Sequence, residues 1–247
     1  MGAFLWSLAS VNWTGPLIHT GGGRSAFRFF AALLTPDVSP DFLAIAFKAS
    51  WQTVVYAVAG ITLAVAIGLP LGIIASGTIL KESTPRRRPV IAGTRLFLGG
   101  LRAVHELVWA VLLVAAIGLS PAAAIIALAL PYAGILGRVY AELLQDVPQG
   151  PLRALRASGA SPLRVLLYGH LQMALPDMLG YSFYRFECGI RAAAILSFVG
   201  IPGLGFQIQL SLQDLRFNQV WTLLMFMVAL IVLVDLWSTR VRRSLVA

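Results

Sequence analysis

Five stretches of this chain are apolar over lengths that suit a lipid bilayer: Trp51 to Leu80, Leu98 to Leu119, Pro121 to Tyr140, Met173 to Val199 and Val220 to Leu236. A spanning helix needs roughly 20 such residues to cross about 30 Å of hydrocarbon. With 58% hydrophobic and only 12% charged residues, the 247-residue chain has more apolar surface than a soluble domain of that size hides. Its mean hydropathy is +0.83. The expected fold is all-α: a polytopic helical bundle with about five core transmembrane helices.

The distribution of positive charge orients these spans. Arginine and lysine gather at Lys81, Arg86, Arg87 and Arg88, again at Arg138, Arg153, Arg156 and Arg164, and finally at Arg240, Arg242 and Arg243. Every second connection is basic, so the positive-inside rule makes these three cytoplasmic and puts Gly118 to Pro121 and Gly200 to Gln219 outside. The net charge of +9 therefore reads as topology and contact with membrane lipid, not nucleic acid. Residues 1 to 41 are read as an interfacial or periplasmic segment and not as a secretory leader. Within them Arg24, Phe27, Phe29, Phe30, Leu33 and Leu34 suggest an amphipathic helix in the outer interface, stopped by Pro36 to Pro40. Phe4 to Val11 is too short to cross unaided. Residues 42 to 247 form the membrane domain.

Metal chemistry finds little support. His19, His105 and His170 are scattered, and no two share the spacing that lets one helix face hold an ion. The single cysteine, Cys188, excludes an internal disulfide and reads as a packing residue.

The cytoplasmic connection at about 143 to 170 is more punctuated than a bilayer requires. Pro148 and Pro151 break the helix leaving the membrane, because proline lacks an N–H and clashes with the preceding turn. Leu152 to Ala157 reads as a short helix that Gly159 ends in a left-handed cap. Ser161 and Pro162 then read as the cap and first position of the next. A helix-turn-helix on the membrane surface results.

This loop resembles the EAA loop of the permease subunits of bacterial ABC importers. Arg153-Ala154-Leu155 stands at the E-A-A position with Gly159 in register; Arg153 replaces the acid, and the distal I-x-L-P register falls on Gly169-His170-Leu171-Gln172. Glu106-Leu107-Val108-Trp109-Ala110, Tyr184-Arg185-Phe186-Glu187 with Arg191, and Val199-Gly200 through Gly203-Leu204-Gly205-Phe206 are similar to the phosphonate and phosphite branch of that superfamily. The resemblance implies a type I ABC importer permease fold in the bacterial inner membrane. It also implies two ATP-binding partner subunits, a second copy of this permease and a periplasmic substrate-binding protein. No G-x-x-x-x-G-K-[ST] occurs, so no cofactor is expected in this chain, and ATP and Mg belong to the partner ATPase. The loop residues implied in ATPase coupling are Leu152, Arg153, Ala154, Leu155, Arg156 and Gly159, with Leu152 and Leu155 as apolar anchors.

The fourth span carries Arg185, Glu187 and Arg191, and a mid-helix charge costs about 2.5 to 3.5 kcal/mol on insertion scales. Glu187 and Arg191, at i, i+4, are expected to neutralise each other. Tyr181, Tyr184 or Arg185, Cys188 and Arg191 follow the 3,4 rhythm of one stripe, and Arg185 has no acid at i±3 or i±4 on its own helix. Tyr181, Tyr184, Arg185, Glu187 and Arg191 are the candidate lining of a path for a small oxyanion, to which a planar guanidinium is suited; an ion network that only stabilises the bundle is the alternative. Arg102 and Glu106 form a second i, i+4 pair, with His105 beside it read as structural. Gly68 and Gly72 make a small-xxx-small pair, and Trp51, Trp109, Trp221 and Trp237 fit an aromatic belt. The cargo expected is a phosphonate or phosphite. Alternatives are an importer permease for methionine, phosphate or a sulfonate, or a membrane-embedded lipid-modifying enzyme.

Overall fold

A computed structural model describes residues 2–10, 22–79, 85 and 87–246. Lys81 and Arg86 of the first basic cluster, together with Val11, His19 and Leu80, lie outside the described residues. The helices are α1 (Gly2–Ala9), α2 (Gly22–Ala31), α3 (Pro40–Ser76), α4 (Arg87–Ala103), α5 (Glu106–Ile117), α6 (Pro121–Gln145), α7 (Gln149–Ala157), α8 (Pro162–Val165), α9 (Leu171–Leu196), α10 (Leu204–Gln213) and α11 (Phe217–Val246). A π-type turn over Leu166–His170 joins α8 to α9. Among the described residues there is no strand.

Three helices are long and apolar enough to cross a membrane unbroken, Pro40–Ser76, Pro121–Gln145 and Phe217–Arg243, and two bent pairs bring the number to five. The first span begins eleven residues before Trp51, at Pro40, whose fixed φ suits a first helical position. The third starts where the sequence places it, because Ser120 accepts a hydrogen bond from the Ala123 N–H at 3.2 Å and proline follows.

The core is the α3–α6 pair, the most extensive helix contact in the chain. Gly68 and Gly72 of α3 meet Ala133 and Gly137 of α6; a Cβ at Gly72 would lie 2.7 Å from the Gly137 carbonyl oxygen. In a bilayer, where lipid is as apolar as leucine, such backbone approach supplies the packing that holds helices together.

Three expectations change. The second span is two helices meeting at 84°, Arg87–Ala103 and Glu106–Ile117. Arg102 and Glu106 therefore fall on opposite sides of the bend and form no i, i+4 pair. His105 caps α5, its Nδ1 accepting from the Leu107 N–H at 3.3 Å, and the Trp109 indole donates to the Leu101 carbonyl freed by the break. The stretch Gly200 to Gln219 is not a plain loop: it holds α10, bent by 44° from the preceding helix, and the Thr53 hydroxyl of α3 accepts from the Leu204 N–H at its start. Ser161 stands before Pro162 as foreseen, but its side chain makes no capping bond.

The N-terminal arm is clasped to the start of α11. Phe29 packs against Phe217 and Trp221, whose indole N–H donates to the Phe29 carbonyl at 2.7 Å, while Phe27 and Phe30 stay exposed. Trp221 is thus a specific clasp as well as a belt residue, and Trp237 likewise packs edge-on to Phe183 and Phe186.

Candidate functional site

The charged segment of α9 is organised around Tyr181 and Arg185, one helical turn apart. Arg185 Nε and Nη2 donate to the Tyr181 hydroxyl at 2.9 and 2.6 Å. Its guanidinium carbon also lies 5.1 Å from the Tyr181 ring centroid and 5.6 Å from that of Tyr184, within cation–π range. Of the five N–H groups of a guanidinium, three are left by these two bonds, and no carboxylate contacts Arg185 among the described residues. The next residue, Ser182, donates to the Met178 carbonyl and accepts from the Tyr140 hydroxyl of α6 at 2.6 Å, which ties this turn of α9 to α6. A cavity of about 410 Å³ opens beside Asp177, Tyr181, Tyr184 and Arg242, between α6, α9 and the end of α11. The result is a cation held by one phenol hydroxyl and two rings, with no carboxylate in contact among the described residues.

Glu187 does not pair with Arg191. Its carboxylate takes Arg242 of α11 at 2.8 Å, with side-chain exposures of 13% for Glu187 and 31% for Arg242. Arg191 is exposed, and among the described residues its Nη2 reaches only the Cys188 sulfur at 3.5 Å, a weak acceptor. The i, i+4 spacing permits the expected pair, but Arg242 arrives from 55 residues away. Sequence spacing within α9 carries no signal for it. Tyr181, Tyr184, Arg185 and Glu187 are thereby brought into one neighbourhood with Arg242, which sequence reasoning had assigned only to a topological charge cluster.

The connection between α6 and α9 has the expected helix-break-helix form. Gly159 has φ +80°, its N–H donates to the Arg156 carbonyl, and the Ala160 N–H donates to that of Leu155. These are the two bonds of a Schellman cap, which needs a left-handed residue at that position. The anchors turn out differently. Leu152 is fully buried in its own chain, packed over Gly169, and Leu155 is half-buried against the same core. Both hold the loop to the membrane domain. An apolar face on a short helix says that something covers it, but not whether that cover is the same chain. The residues facing outward are Arg153, Ala154, Arg156 and Gly159.

The family described as binding-protein-dependent transport system inner membrane component matches residues 42–246. The phosphite transport system permease protein of Stutzerimonas stutzeri is 31% identical over 219 residues, covering 86% of this chain and 76% of that one. The phosphate-import permease protein of Mycolicibacterium smegmatis is 29% identical over 217 residues, covering 87% of this chain and 40% of that one. A solved chain of the MetNI methionine ABC transporter, in an inward-facing conformation, superposes with a TM-score of 0.73 at 21% identity, covering 84% of this chain and 99% of that one; at that identity the likeness establishes the fold.

Proposed function

The chain belongs to the family of binding-protein-dependent transport system inner membrane components, and from that premise we propose that it carries a small phosphorus oxyanion, phosphite or a phosphonate, inward across the membrane. It is an inner-membrane transport permease subunit. ATP is hydrolysed by two partner subunits, a second copy of the permease completes the path by twofold symmetry, and a periplasmic binding protein delivers the cargo. The similar permeases are phosphite and phosphate transporters by name, which supports the cargo class.

The observation that carries the reading is Arg185: a part-buried guanidinium on a membrane helix, engaged by the Tyr181 hydroxyl and by the rings of Tyr181 and Tyr184, with no carboxylate in contact among the described residues. A cation that served only the architecture would be neutralised, as Arg242 is by Glu187. Arg185 instead keeps donors for an exchangeable anion, and its tyrosine contact disperses charge without holding a carboxylate that cargo would have to displace. In the same reading α7 docks on the ATPase through Arg153, Ala154 and Gly159, while Leu152 and Leu155 transmit its motion into the core that they contact.

The test is reconstitution of the chain with its ATPase and binding protein in liposomes. ATP-dependent accumulation of labelled phosphite, competed by phosphonate and not by methionine, supports the proposal. Accumulation of methionine in its place overturns the cargo.

A further inference from the structure

A cavity of about 560 Å³ lies at the foot of the cytoplasmic connection, away from the α9 cluster. Its described lining includes Thr78, Arg87, Gln145, Gln149, Arg156 and His170, with no carboxylate among them. Arg87 Nε is buried and has no hydrogen-bond partner among the described residues. An orphaned charged donor of that kind is costly unless something else satisfies it. Beside it, Gly77 has φ +71°, and a Cβ there would sit 2.5 Å from Ile91 and 3.7 Å from Arg87 Nε.

The backbone around the cavity also favours negative charge. Arg87 and Gln149 are the first residues of α4 and α7, and the start of α7 has no side-chain cap, so its free N–H groups and the positive dipole end remain available. The opposing negative end of α3 is already satisfied. The Ile73 carbonyl accepts from Ser76 Oγ, Ile74 from the Gly77 N–H, Ala75 from Arg95 Nε and Ser76 from Gln145 Nε2. The His170 ring is fixed by a 2.8 Å bond between Nδ1 and the Leu144 carbonyl.

We propose that this cavity is a binding site for a phosphorus oxyanion on the cytosolic side, held by Arg87 and Arg156 and by the start of α7. The ligand is a tetrahedral phosphate-type anion, free in the cytosol or as the headgroup of an anionic lipid. Because Arg87 belongs to α4 while Arg156 and Gln149 belong to α7, an occupant braces the connecting loop against the membrane helices, and its presence sets how α7 is held. The cytosolic placement follows from the basic connections, and the site stands independently of which cargo the α9 cluster passes.

The test uses the full chain in nanodiscs of neutral phosphatidylcholine, alone and assembled with its ATPase, with labelled inorganic phosphate followed by equilibrium dialysis. Saturable binding of one phosphate per chain in both samples is expected. It should weaken at least tenfold in R87Q and in R156Q and be unchanged in R240Q, an exposed cytoplasmic arginine remote from the cavity lining. In a second arm, nanodiscs containing phosphatidylglycerol are analysed by native mass spectrometry. Retention of that lipid by wild type and not by R156Q, with no free phosphate bound, assigns the same site to the headgroup. Three results overturn the proposal: neither ligand bound; binding untouched by both R87Q and R156Q; or phosphate bound by the isolated chain and excluded from the assembled complex, which makes the cavity a socket for the ATPase.

Discussion

Replacing Glu187 by glutamine tests the ion pairing inside the bundle, because sequence spacing and structure name different partners for it. In the structure the carboxylate accepts from Arg242 Nη2 at 2.8 Å, with exposures of 13% and 31%. A hydrogen bond to a charged partner contributes about 1.5 to 3 kcal/mol, and removing one member of a fully buried pair costs about 3 to 5. Arg242 is nearly a third exposed, so solvent compensates part of the loss and E187Q is expected to cost about 1.5 to 3 kcal/mol. The double replacement E187Q/R242Q should recover much of it, since neither charge is then stranded. The assay is reversible SDS-driven unfolding in mixed micelles, run as two double-mutant cycles. A coupling of at least about 1 kcal/mol is expected between positions 187 and 242, and no more than about 0.5 between 187 and 191. A larger coupling to Arg191 than to Arg242 refutes the reasoning.

Leu152→Ala should destabilise the chain by about 2 to 5 kcal/mol, the usual cost of emptying a closed core site, whereas Ala154→Trp should leave the unfolding midpoint unchanged and weaken copurification of the ATPase. Gly159→Val places a β-branched residue at φ +80° and should cost about 1 to 2 kcal/mol per the left-handed penalty; Gly159→Asn should restore coupled transport, and equal transport by all three chains in liposomes counts against docking here. Asp37, at the outer clasp, accepts from Ser39 and from Gln219, which hold its carboxyl below the usual carboxylate range. A lowered value means that the clasp is at full strength above about pH 4, the ordinary aspartate value, and fades as pH falls through the lowered one. Tryptophan fluorescence should therefore show an acid transition in wild type that Asp37→Asn lacks.

What the sequence revealed and what it concealed divide along the range of the interactions. Ser120-Pro121 marks the start of α6 and Gly159 the end of α7 because a cap is a contact between near neighbours. The bend at Val104–His105 has no glycine or proline to announce it; it is closed by the Trp109 indole and the His105 ring, whose partners appear only once the chain has turned. The Tyr181–Arg185 contact was legible as a 3,4 stripe on one helix. Arg242 was not, since a partner on another helix leaves no periodicity, and Leu152 was assigned to the wrong cover for the same reason.

Uptake per folded transporter decides whether Arg185 meets the passing anion. In liposomes holding equal amounts of correctly assembled complex, Arg185→Ala is expected to lower labelled phosphite uptake at least tenfold while basal ATP hydrolysis persists, and Arg185→Lys to recover part of the rate by restoring the charge without the fork. If Arg185→Ala transports at the wild-type rate per folded molecule, Arg185 serves only the architecture of the bundle and the account is contradicted.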